Sequence, residues 1–126
     1  MKLSKNFRLK EFDCKDGSKM PKEVLQNIRQ LAKQLQYLRD YCDMPIKINS
    51  AYRSVEHNAS VGGSKNSRHL YGYASDIVIQ GFAPKDTYAL IEYLIGKGIM
   101  KQGGLGKYKT FTHYDIYFDG ENIRRW

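Results

Sequence analysis

The chain has 126 residues and a net charge of +8, from 21 basic and 13 acidic residues. That length supports one modest hydrophobic core and is too short for two, so one unit spanning residues 1–126 is expected. A hydrophobic content of 41% marks a folded chain, the lack of any run of about 18 apolar residues excludes a membrane-spanning helix, and basic charge without an arginine-rich block argues against specific nucleic-acid binding.

Residues 1–20 are polar and irregular, with Phe7, Leu9 and Phe12 as apolar anchors and Asp16-Gly17-Ser18 as a turn signal. No apolar export stretch opens the sequence, which implies cytosolic synthesis or a signal already removed. Pro21 stands where a first helical turn accepts proline. From Lys22 to about Tyr41, Val24, Ile28, Leu31, Leu35 and Leu38 recur at spacings of three and four, with Leu25 and Ala32 widening the stripe. This predicts a long amphipathic helix, ended by Asp43-Met44-Pro45.

Residues 46–51 alternate and predict a strand. Residues 52–72 carry Gly62, Gly63 and Gly72 among serines and asparagines and predict a long loop. Loops of about 20 residues in a small domain are commonly functional or disordered, and this one contains Arg53, His57 and His69. A second strand is expected over 74–79 and a second helix over 84–96, its stripe formed by Tyr88, Ile91, Leu94 and Ile95. Gly103-Gly104-Leu105-Gly106 reads as a flexible turn into a strand at 111–118, followed by a tail, Asn122–Trp126. The order predicts an α+β fold with a small, mainly antiparallel sheet and two main helices. Cys14 and Cys42, 28 residues apart with no Cys-x-x-Cys pair and no nearby histidine partner, are expected to be free thiols or one optional bridge, and not zinc ligands.

Four side chains carry the chemistry. His113 and Asp115 are two apart on a strand and so share a face, opposite Thr112, Tyr114 and Ile116. His69 ends the loop, and Asp76 abuts the apolar run Ile77-Val78-Ile79. A carboxylate there is costly unless it is paired or bound to a cation. Two imidazoles and one carboxylate, from His69, Asp76 and His113, make the ligand count of a catalytic zinc that keeps a fourth position open.

The pattern Ser67-x-His69-x-x-Gly72-x-Ala74-x-Asp76, followed by His113-x-Asp115, resembles the M15 family of zinc D-Ala-D-Ala carboxypeptidases and related peptidoglycan peptidases. Asn49–Ser54, Glu56-His57-Asn58, Gly62-Gly63 and the terminal Arg125-Trp126 are similar too, so the likeness runs over about residues 5–126. It implies the small α+β fold shared with the hedgehog signalling domain, with His69, Asp76 and His113 as zinc ligands and Arg53 holding a substrate carboxylate or carbonyl oxygen. Ser67 and His57 are expected near the substrate, His57 otherwise organising the loop by hydrogen bonds.

Relatives carry an acid three residues before the last ligand, where this chain has Thr110. Asp115 is then the nearest carboxylate, either as general base or as a residue orienting a ligand. The expected function is zinc-dependent cleavage of peptidoglycan stem peptides by a monomer acting at the cell wall, as a phage lysis or tail enzyme or as an exported bacterial one. The alternative is a zinc-stabilised module that holds wall peptides without cutting them.

Overall fold

A computed structural model describes residues 1–126. The apolar stripe forms helix α1, Lys22–Cys42, with Val24, Ile28, Leu31, Ala32, Leu35 and Leu38 buried along one face. Leu25 sits half-buried at its edge. Asp43 caps the helix in the left-handed region at φ 52°, its N–H donating to the Arg39 carbonyl.

Four strands, β1 (Ile46–Ser50), β2 (Ala74–Ile79), β3 (Leu105–Lys107) and β4 (Thr112–Asp115), form a sheet in the order β1-β2-β4-β3. Every neighbouring pair is antiparallel. One face of this sheet sends Ile46, Ile48, Ile77, Ile79, Leu105 and Tyr114 into a cluster of 21 buried residues shared with α1. The Tyr114 ring is fully buried, and its hydroxyl donates to the Lys101 carbonyl at 2.7 Å, so the ring's one polar atom is satisfied. The expected alternation holds: His113 and Asp115 lie on the other face of β4 and contact each other.

Register aligns the two central strands for chemistry. Asp76 on β2 pairs with His113 on β4, and Ala74 pairs with Asp115. Directly opposed residues on one face bring their Cβ atoms to roughly 4.5–5.5 Å. On the other side of β2, the pairing slips by one residue between Ile48 and Ser50, leaving Asn49 as a bulge and setting Ser50 opposite Asp76.

Three segments differ from expectation. The loop 52–72 contains a short helix α2, Val55–Ser60, and a 3₁₀ turn, Arg68–Tyr71. Neither is long enough to show apolar periodicity. Each is started by a serine cap, Ser54 Oγ accepting from the His57 N–H and Ser67 Oγ from the His69 N–H. The glycine turn 103–106 is partly strand β3, which is covered by the C-terminal tail through hydrogen bonds linking Leu105 and Lys107 to Arg124 and Trp126. The strand expected over 111–118 is regular only over β4. Helix α3, Pro84–Gly96, buries Ile91 and Leu94 as expected, with Thr87 as its third buried residue, while Tyr88 and Ile95 are half-buried.

Gly72 closes the 3₁₀ turn at φ 76°, and a Cβ there would press on the side chain and carbonyl of Val24 in α1. Gly62 has a similar φ of 72° and open space around it. In urea unfolding, Gly62→Ala should cost about 1 kcal/mol for the left-handed residue alone. Gly72→Ala should cost a further 1–3 kcal/mol or so for overpacking. Equal losses for the two would show that Gly72 is not packed against α1.

Candidate functional site

The polar face of β2 and β4 floors a cleft of about 450 Å³. One wall is the segment Val61–Arg68. The other is aromatic, with Tyr108, Phe111 and Trp126. Tyr108 and Phe111 stack at 4.5 Å with ring planes 13° apart, and the Trp126 indole N–H donates to the Tyr108 hydroxyl at 2.8 Å. Trp126 also lies 5.0 Å from the His113 ring, centroid to centroid.

At the base of the cleft, the three buried residues His69, Asp76 and His113 converge. His69 Nε2 lies 3.3 Å from Asp76 Oδ1, and His113 Nδ1 lies 3.2 Å from the same oxygen. The second nitrogen of each ring determines the tautomer. His69 Nδ1 is 2.7 Å from the Ala51 carbonyl, which only accepts, so Nδ1 carries the proton and Nε2 the lone pair. His113 Nε2 donates to Asp115 Oδ2 at 2.7 Å, which leaves the lone pair on Nδ1. Two nitrogen lone pairs therefore aim at one carboxylate oxygen. Such a grouping is repulsive unless a cation or a proton stands between its members.

The donor set fits a divalent ion such as zinc. Bonds of about 2.0–2.1 Å in a tetrahedron put nitrogen and oxygen donors roughly 3.4 Å apart, and the observed separations of 3.2 and 3.3 Å are close to that. The charge states agree. Burial works against the ionised form of Asp76, but the two imidazoles facing its carboxyl, His113 foremost, outweigh it and hold the carboxyl well below the usual carboxylate range. Burial also opposes charging of His113, yet Asp115 and Asp76 together raise its proton affinity above the ordinary histidine value. This pocket attracts positive charge.

A second ring of contacts holds these donors. Asp115 is completely buried. Besides His113, it accepts from the backbone N–H of Gly104 at 2.9 Å and of Tyr117 at 3.1 Å, and from the Arg124 guanidinium. Burial raises its pKa, and the bonds from His113, Gly104 and Arg124 overcome that, so it stays ionised. A Cβ on residue 104 would strike both the Asp115 carboxylate and Arg124, which is why glycine stands there. Arg53 donates from Nε to Ser50, from Nη1 to Asn58 and from Nη2 to Asp76 Oδ2 at 3.3 Å, leaving one N–H on each terminal nitrogen.

The remaining sequence candidates separate. Ser67 lines the cleft and caps the turn that presents His69. His57 does not line the cleft; its ring lies within 4.8 Å of Cys14 Sγ and an Asp16 oxygen. That corrects the expectation that Cys14 has no histidine near it. Thr110 is exposed in the β3–β4 turn. Sequence reasoning missed Arg68, which stacks 3.7 Å over the Tyr117 ring, and Arg124. The arginine and tryptophan near the C-terminus were the available signal for the latter, but only the folded tail brings Arg124 to Asp115.

A 35-residue stretch is 54% identical to the zinc D-Ala-D-Ala carboxypeptidase of Streptomyces albus G, covering 28% of this chain and 14% of that protein's length. The chain thus matches a small part of that relative. Among solved structures it is similar to the crystal structure of the Serratia marcescens L-Ala D-Glu endopeptidase ChiX, at 22% identity and a TM-score of 0.49, over 79% of this chain and 90% of that one. The family profile described as Peptidase M15 matches residues 5–115, and the chain belongs to that family.

Proposed function

We propose that this chain is a zinc-dependent peptidase that cleaves stem peptides of peptidoglycan. The observation that carries the reading is the convergence of His69 Nε2, His113 Nδ1 and Asp76 Oδ1 at the floor of an open cleft, each ring's other nitrogen committed elsewhere. His69, Asp76 and His113 would hold the ion. When bound, zinc supplies an acidified water and an electrophile for a scissile carbonyl.

The chain's own groups do the remaining work. Arg53, anchored by Ser50, Asn58 and Asp76, keeps two N–H groups for a carboxylate or carbonyl oxygen of the peptide. Arg68 and Arg124 add positive charge to the cleft lining. Its only carboxylates are Asp76 and Asp115, and both are engaged, so the lining favours an anionic peptide. The aromatic wall excludes water from one side of the His113 ring. For Asp115, complete burial and four protein donors support the orienting role over that of general base. The net charge of +8 suits action at an anionic wall, by a phage lysis or tail enzyme or an exported bacterial one.

The deciding experiment incubates purified protein with a defined muropeptide, with and without chelator, and reads products by mass spectrometry. New amine ends that vanish with chelator and return with zinc are expected. The product masses distinguish a D-Ala–D-Ala cut from an L-Ala–D-Glu cut. Retained binding without cleavage at full zinc loading would replace the enzyme by a wall-peptide-binding module.

His69→Ala and His113→Ala should each lose one equivalent of zinc, the one held in the cleft, measured by metal content after dialysis, and with it all turnover. Asp115→Asn should weaken zinc affinity by about 10–100-fold, and turnover should return when zinc is raised to saturation. Turnover that stays lost with metal bound would make Asp115 the base instead.

A further inference from the structure

A second cluster of metal-ligating side chains lies outside the cleft. Cys14, Asp16 and His57 each bring one donor atom within 4.8 Å of the other two. The N-terminal segment supplies the thiol and carboxylate, and α2, about 40 residues later, supplies the imidazole. The cysteine is a buried free thiol, the histidine is half-buried and the aspartate is exposed, so the group runs from core to solvent and is reachable by an ion.

Ser54 organises this cluster. Its backbone N–H donates to Cys14 Sγ at 3.3 Å and its hydroxyl donates to Asp16 Oδ2 at 2.7 Å. The same hydroxyl accepts from the His57 N–H and so caps α2. A serine N-cap needs only that last bond. The thiol and carboxylate add nothing to the cap, yet both come to the same point from a distant segment. Asp16 is further oriented by the Ser18 N–H, which donates to Oδ1 at 2.8 Å. These bonds hold its carboxyl well below the ordinary range, foremost through Cys14 and Ser54.

We propose that Cys14, Asp16 and His57 form a second, sulfur-containing site for a zinc-type divalent cation, which ties the N-terminal segment to α2. A thiolate, an imidazole and a carboxylate select zinc or cobalt over magnesium and calcium, which prefer oxygen alone. A tetrahedral ion wants such donors roughly 3.4–3.7 Å apart, so donors now within 4.8 Å need only a modest closing of side chains. The site differs from the cleft in that it holds sulfur. Its role is structural: α2 carries Asn58, which holds Arg53 Nη1, so an ion there steadies the cleft's arginine through α2 and Ser54.

Cobalt titration of the reduced, metal-free full chain tests this. Two equivalents should bind, and one should show a near-ultraviolet thiolate-to-cobalt charge-transfer band, which a site of nitrogen and oxygen donors does not produce. His113→Ala should lose one equivalent and keep the band. Cys14→Ser and His57→Ala should lose the band and keep the other equivalent. Asp16→Asn, an isosteric change at an exposed position, should weaken the sulfur-containing site at least tenfold or so. Absence of a sulfur band from the wild-type chain overturns the proposal. So does a band that survives Cys14→Ser and disappears in Cys42→Ser. Loss of the cleft equivalent alone would count against the peptidase reading and leave this site standing.

Discussion

The site depends on one encounter, that of two imidazole lone pairs with a single oxygen of Asp76. Strand register produces it. Asp76 and His113 are opposite one another on neighbouring antiparallel strands, and that register follows from which residues are apolar. Ile77 and Ile79 on β2 and Tyr114 on β4 must face the core. Because side chains alternate, their neighbours Asp76 and His113 are then forced onto the other face together. A slip of one residue would bury a charge and expose the isoleucines. The hydrophobic effect that stabilises the sheet thus also aligns two of the three donors. The third comes from a 3₁₀ turn that Ser67 starts and Gly72 ends.

Around this encounter, each donor is held by a group whose own position is determined elsewhere. His69 is held by the Ala51 carbonyl next to β1, and His113 by Asp115. Asp115 is held in turn by the Gly104 backbone and by Arg124 from the tail. The C-terminal tail is therefore part of the centre: it covers β3, supplies Arg124 and brings Trp126 against the His113 ring. A buried carboxylate with four donors is a rigid object, which suits the ligand-orienting role proposed for it. Three of the four bonds end on Oδ1 and one, from His113, on Oδ2, and the whole residue is shut off from solvent, whereas a base would have to be reached by a water.

What was legible in the sequence follows the range of the cause. Helix α1 was readable because its stripe repeats over many turns, and β1 and β2 because their alternation is local. The grouping of His69, Asp76 and His113 was suggested by their spacing and by the family resemblance together, since an Asp76 set against Ile77-Val78-Ile79 asks for a partner without naming it. Helix α2 and the 3₁₀ turn were not, since six and four residues are too few to show a period. β3 was hidden by Gly106 within it and by Gly103 and Gly104 before it, which are needed because Trp126 and Asp115 approach closely. The meeting of His57 with Cys14 and Asp16 depends on a contact between segments about 40 residues apart, and no local spacing encodes it. Period two assigned Asp115 to the right face of β4, but it says nothing of depth, and depth separates an orienting carboxylate from an accessible one.

The charges of the centre lead to the kind of ligand it favours. Asp76 is paired with Arg53 and Asp115 with Arg124, so the two carboxylates are already neutralised within the protein. The histidines present neutral lone pairs. A divalent ion held by this set would keep most of its positive charge, in a cleft that Arg68 makes more positive still. Water penetrates an open cleft less than bulk solvent, so that field is felt more strongly there than on a free surface. On the peptidase reading proposed above, the ligand that answers it would be a peptide with free carboxylates, whose carbonyl oxygen becomes more negative as its amide is attacked. On that reading, the arginines that neutralise the carboxylates from outside would prepare both the binding of such a peptide and the stabilisation of the charge that develops on it.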